Sequence, residues 1–112
     1  IPAPAAVIYG ALTECERAPE VFPSLKSCSV LERGPGAAWD VRTHTVASWA
    51  SFLPDMSTVF RSDYQKDRRI AFKLVSGDVQ HLEGEWVLEP LPGAGKTRVY
   101  YRASVGFHAL VP

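Results

Sequence analysis

The spacing of apolar positions changes once along the chain, from helical at the start to twofold for the rest. Val7, Ile8, Ala11 and Leu12 fall on one stripe at helical spacing, and Pro2 and Pro4 stand where a first turn tolerates proline, so the spacing predicts a short amphipathic helix over Ala3 to Leu12. A second helical turn or two is predicted through Glu14 to Val21, bracketed by Pro19 and Pro23, each of which disfavours helix in the residue before it. From Leu25 the period becomes twofold. In Lys26 to Glu32, Cys28 and Val30 alternate with Ser27, Ser29 and Leu31, and Gly34-Pro35-Gly36 closes the strand. Trp39 to Phe52 reads as one long strand, with Val41, Thr43, Thr45, Ala47 and Trp49 on one side and Arg42, His44, Val46 and Ser48 on the other.

Pro54 and Asp55 break that strand, Ser57 to Tyr64 resumes, and Gln65-Lys66-Asp67 turns into Arg69 to Val75, where Ile70, Phe72 and Leu74 share a face. Ser76-Gly77-Asp78 leads into the cleanest alternation of the chain: Leu82, Gly84, Trp86 and Leu88 oppose His81, Glu83, Glu85 and Glu89. After a turn over Pro90 to Gly95, Thr97 to Val105 sets Val99, Tyr101 and Ala103 against Arg98, Tyr100 and Arg102. Successive hairpins of this kind predict an antiparallel meander with charge on one face and apolar groups on the other. Two short helices cover little of such an apolar face, so a further helix, a ligand or another copy of the chain is expected against it.

A length of 112 residues suits a single domain over 1–112, and 46% hydrophobic with 21% charged residues is ordinary globular composition. Twelve basic residues offset twelve acidic ones, which gives nucleic acid no electrostatic reason to bind. Cys15 and Cys28 are too few for a disulfide framework and lie in no metal or redox spacing, so they are expected to be reduced, half-buried thiols. No apolar run approaches the roughly 18 residues of a membrane span, and Ile1 to Leu12 lacks the basic start of a signal peptide. The expectation is a soluble chain from a cytoplasmic or organellar interior, with no transmembrane segment.

Candidate chemistry is sparse. Gly93-Ala94-Gly95-Lys96-Thr97 ends like a phosphate-binding loop, but Pro90 stands where that pattern needs glycine and a strand follows where a helix should, so it reads as a hairpin turn. His44, His81 and His108 are far apart and show no metal-ligand spacing; no metal or cofactor is expected, and the histidines are expected to be solvent-exposed or singly hydrogen-bonded. Glu83 and Glu85 share an outward face, where pairing with Arg98 or Arg102 is the ordinary role. Gly84 either opens space on the dry face or lets its strand bend. The dry-face aromatics Trp49, Phe72, Trp86 and Tyr101 are core by default and, taken together, suit the wall of an apolar pocket.

The runs Phe60-Arg61-Ser62-Asp63-Tyr64, Arg69-Ile70-Ala71-Phe72, Ser76-Gly77-Asp78, Leu82-Glu83-Gly84-Glu85-Trp86-Val87-Leu88-Glu89-Pro90 and Thr97-Arg98-Val99-Tyr100-Tyr101 resemble the polyketide cyclase/dehydrase and lipid-transport family, as do Ala3 to Tyr9 and Pro19 to Lys26. That resemblance implies an α+β START-like (SRPBCC) helix-grip fold, a curved antiparallel sheet around a long C-terminal helix with an apolar cavity between them. Relatives in that family include coenzyme-Q-binding proteins, lipid carriers, aromatase/cyclases and a ribosome-associated toxin. Only Ile1 stands for the usual first strand and Val111-Pro112 ends where the long helix would begin, so both elements are expected to be missing and the cavity incomplete.

Three readings follow. A carrier of a lipid, quinone or polyketide-like molecule is the leading one, with Val41, Thr43, Phe72, Leu74, Trp86, Leu88, Val99 and Tyr101 lining the site and Val7 and Ala11 closing one end. An aromatase/cyclase-type enzyme would draw on Arg42, His44, Arg61 and Tyr101. An interaction module would use the apolar face for a partner chain, and an exposed face of that kind makes a homo-oligomer an open expectation.

Overall fold

The computed structural model describes residues 1–48, 50–93 and 95–107; Trp49, Ala94, His108, Val111 and Pro112, all used in the sequence reading, lie outside the described residues. Helix α1 covers Ala5–Thr13, a 3₁₀ turn covers Cys15–Arg17, and helix α2 covers Ala18–Val21 with Pro19 in its first turn, where a missing N–H costs nothing. Six strands follow: β1 Leu25–Arg33, β2 Trp39–Val46, β3 Met56–Gln65, β4 Arg69–Gly77, β5 His81–Pro90 and β6 Thr97–Gly106. They form one antiparallel sheet in sequence order, the meander that the alternation predicts.

β2 is shorter than its sequence suggests. It ends at Val46, and the chain then loops back to β3 with the Ser48 N–H donating to Asp55 Oδ1 at 3.2 Å. The Asp55 carboxylate also takes Lys26 Nζ at 2.8 Å, so one acid fastens the loop to β1. At the next corner the Asp78 carboxylate accepts the Ser57 N–H at 2.7 Å while the Asp78 N–H donates to the Ser57 carbonyl at 2.9 Å. Gly77 there has φ of 135°, and a Cβ would lie 2.8 Å from Thr58 Cα, so glycine is required on both counts.

Bulges bend the sheet. Register shifts occur in β1 between Leu25 and Ser27 and again between Val30 and Glu32, and opposite the Val59–Phe60 step of β3. Each extra residue tightens the local twist and helps curl the sheet into a trough. At the far edge the start of β6 is tied to the N-terminal segment: the fully buried Thr97 donates its N–H to the Ile1 carbonyl at 3.0 Å and its hydroxyl to the Ala3 carbonyl at 2.7 Å.

The helices sit at one end of the trough. α1 turns Ile8 inward, with Leu12 half-buried behind it, while Val7 is 61% exposed and Ala11 faces outward. The apolar stripe is therefore real but rotated, and Val7 and Ala11 do not close the trough. Cys15 and Cys28 form a disulfide with 5.3 Å between their Cα atoms, joining the 3₁₀ turn to β1. This corrects the expectation of two free thiols: 13 residues apart in sequence, they meet because the helical segment folds back onto the inner face of β1.

Candidate functional site

Cross-strand partners assign the two faces of the sheet. Arg42 pairs with Phe60 and Phe60 with Leu74; Asp40 pairs with Ser62 and Ser62 with Phe72; Phe72 pairs with Gly84, and Ile70 with Trp86, which pairs with Tyr101. Since directly opposed residues share a face, all of these lie on the concave side. Phe72, Leu74, Trp86, Leu88, Val99 and Tyr101 thus share the concave face. Val41 and Thr43 do not join them: they oppose Arg61 and Val59 on the convex face, the face that also carries the ion pairs of Glu85 with Arg69 and Arg102.

The reason for the inversion is electrostatic. Asp40 and Arg42 occupy the inner face of β2 at 3% and 5% exposure, against the rule that charge faces water, because they satisfy one another. Arg42 donates Nε to Asp40 Oδ1 at 3.1 Å and Nη2 to Oδ2 at 2.5 Å, and its Nη1 reaches the Thr13 carbonyl at the end of α1 at 3.1 Å. The Tyr64 hydroxyl donates to Asp40 Oδ2 at 2.7 Å. Burial pushes the Tyr64 phenol up, the Arg42 charge pulling the other way and the Asp40 hydrogen bond adding to the rise. This network walls a polar hollow of about 390 Å³ at the helix end, but its charges are already engaged with one another.

A second hollow, of about 250 Å³, lies further along the trough and is apolar. Phe22, Leu25, Phe60, Phe72, Leu82 and Tyr101 line it. The rings interlock: Phe60 meets Phe72 at 6.2 Å between centroids, Phe72 stacks with Tyr101 at 6.4 Å, and Trp86 lies behind, 4.2 Å from Tyr101 and 6.3 Å from Phe22. Tyr101 is 55% exposed and forms a lip. Leu88, at 2% exposure, is core, and like Leu74, Trp86 and Val99 it does not line the hollow. Gly84 neither opens ligand space nor marks a bend alone: the Phe72 ring lies over it, so that a Cβ would stand 2.6 Å from Phe72 Cζ and 2.9 Å from Ala103 Cα. The missing side chain is filled by a neighbour's ring.

His44 also lines this hollow, which corrects its placement on a wet face. Its Nε2 is buried without a hydrogen-bond partner among the described residues, and the ring stands edge-to-face on Phe60 with 4.6 Å between centroids. Burial, with the neighbouring Arg42 charge, pushes its pKa down to about 4, so the imidazole is neutral near pH 7. Sequence reasoning missed Phe22, Leu25 and Phe60 as lining residues, and it named His44 only for the enzyme reading. For His44 the signal was available in the twofold spacing of Asp40, Arg42 and His44, had the charged pair been read as inward.

The residues proposed for catalysis do not converge. Arg42 is held by Asp40, and Arg61 stacks its guanidinium on Trp39 at 4.5 Å, on the convex side, while His44 and Tyr101 share the apolar hollow. Among the described residues no group of three or more His, Cys, Asp or Glu could hold a metal ion, and no helix is long and apolar enough to cross a membrane.

Solved structures share this architecture. A START superfamily protein from Mycobacterium smegmatis superimposes with a TM-score of 0.84 over 100% of this chain and 75% of its own, at 21% identity. A Thermus thermophilus protein gives 0.83 over 99% of this chain and 72% of its own, at 21% identity. The Zhui aromatase/cyclase from Streptomyces sp. R1128 gives 0.81 over 99% of this chain and 66% of its own, at 21% identity. Likeness at these identities shows the START-like helix-grip fold alone. No curated protein matches the sequence. The model of the polyketide cyclase/dehydrase and lipid transport family matches residues 1–112, and the chain belongs to that family.

Proposed function

We propose that this protein binds a small apolar molecule in the aromatic hollow of its concave face, as a carrier or binding module. The observation that carries this reading is the hollow itself, an open, ring-lined space of about 250 Å³ on the inside of a curved sheet. Apolar concavities with few polar groups are the usual form of a small-molecule site. Tyr101, 55% exposed at the lip, would lose its contact with water when such a molecule enters. The family and the fold support the same class of ligand. A binding role is favoured over an aromatase/cyclase role because Arg42 and Arg61 point their charges elsewhere.

Native mass spectrometry of gently purified protein, followed by organic extraction, tests this. The expected result is a stoichiometric apolar adduct that extraction removes. A protein that is empty as purified, and that takes up no added quinone, fatty acid or aromatic polyketide, would overturn the reading.

A further inference from the structure

We propose that His44 Nε2 is the hydrogen-bonding anchor for a hydroxyl group carried by the apolar ligand of the concave hollow, an inference that rests on the binding role above. The hollow is otherwise an apolar container, and such a container ranks ligands by size and shape without reading their polar groups. Its other polar lining groups, the hydroxyls of Ser24 and Tyr101, belong to exposed residues and are served by water. His44 Nε2, by contrast, is buried, and among the described residues no protein atom satisfies it.

A buried polar atom without a partner is a standing cost that native structures seldom carry without a use. Here the neighbours keep it so. On β2, Arg42 is committed to Asp40 and to the Thr13 carbonyl, so neither charge turns toward His44. On β3, Thr58 stands directly across from His44 without bonding to Nε2, and the ring of Phe60 meets the imidazole edge-to-face. A contact between N–H and an aromatic ring is a weak substitute for an oxygen. A hydroxyl suits the position whichever tautomer is present, since it donates to a bare Nε2 and accepts from a protonated one. Reaching Nε2 requires the imidazole to turn or the Phe60 ring to yield, because the atom is buried. The surroundings select the rest of the ligand: rings from Phe22, Phe60, Phe72 and Tyr101 favour a flat aromatic frame, and about 250 Å³ suits one or two fused rings.

The test compares 2-naphthol with 2-methylnaphthalene, a pair matched in shape and differing in the hydroxyl. Equilibrium dialysis on the full chain should show 2-naphthol bound about five- to tenfold more tightly, the span one net hydrogen bond supports. His44→Phe should erase the difference while keeping the hydrocarbon, and the ¹⁵N resonance of Nε2 in the unsubstituted protein should shift with 2-naphthol only. Should His44→Phe fail to fold, the unsubstituted protein's preference and the ¹⁵N shift decide the matter. Equal binding of both probes with a silent Nε2 would overturn the anchor and leave the binding role standing. Binding of neither probe would overturn the aromatic class proposed here and count against the binding role as well.

Discussion

Replacing Arg42 by Met probes the element that turns β2 over. Arg42 and Asp40 are 5% and 3% exposed, and three donated hydrogen bonds hold the guanidinium in place. Met keeps much of the stem's volume but leaves the Asp40 carboxylate buried with Tyr64 as its remaining side-chain donor. Breaking a buried pair from one side costs about 3–5 kcal/mol, because the orphaned charge keeps its desolvation penalty. Against a total stability on the order of 5–15 kcal/mol that loss is severe, and at roughly 4 °C per kcal/mol it lowers Tm by about 12–20 °C. Urea unfolding with a constant slope gives the free energy directly. The double variant Asp40→Leu with Arg42→Met should recover most of the loss, leaving about 1–3 kcal/mol for the Tyr64 hydroxyl, which loses the Asp40 acceptor, and the Thr13 carbonyl, which loses the Arg42 donor. If Arg42→Met unfolds within about 1 kcal/mol of the unsubstituted protein, the pair is solvated and the account of β2 is wrong.

Three further outcomes follow from the same geometry. His44, with its folded pKa of about 4 below the ordinary 6.5, takes up its proton first in the unfolded chain. Its contribution is therefore complete above about pH 6.5 and is lost as pH falls toward 4, by up to about 3 kcal/mol. Urea titrations at several pH values should show this slope, and His44→Phe should flatten it. Cys28→Ser, or reduction of the native protein, removes a bridge closing a 13-residue separation and should lower stability by about 3 kcal/mol; an unchanged Tm on reduction would contradict the disulfide. Gly84→Ala forces a methyl against the Phe72 ring and the β6 backbone and should cost roughly 1–3 kcal/mol in thermal unfolding, whereas an open site would accept it freely.

How much of this was legible depended on which strand was read. In β4 and β5 every inward position is apolar or glycine and most outward ones are charged, so Ile70, Phe72 and Leu74, and Leu82, Gly84, Trp86 and Leu88, were assigned to the correct face from the alternation alone. β2 carries Val41 and Thr43 on one side and Asp40, Arg42 and His44 on the other, and hydropathy alone sends the charged side outward. Asp40 and Arg42 satisfy one another, and the distant partners that complete the network, the Tyr64 hydroxyl 24 residues from Asp40 and the Thr13 carbonyl 29 residues from Arg42, leave no trace in a local pattern. α1 shows the same limit at smaller scale: a four-residue stripe spans more arc than one short helix buries, so Ile8 went inward and Val7 outward. The disulfide was illegible because its partners sit on different elements whose packing angle no spacing encodes. What the alternation did convey was the meander and the concentration of rings on one side.

Solution NMR of the full chain, titrated with an aromatic probe such as 2-naphthol, asks whether ligand enters the concave aromatic hollow. Shift changes should concentrate at Phe22, His44, Phe60, Phe72 and Tyr101, with Val41, Thr43 and Arg61 on the convex face unmoved. Perturbations centred on the convex face, or on the polar hollow beside Asp40 and Tyr64, would contradict this placement.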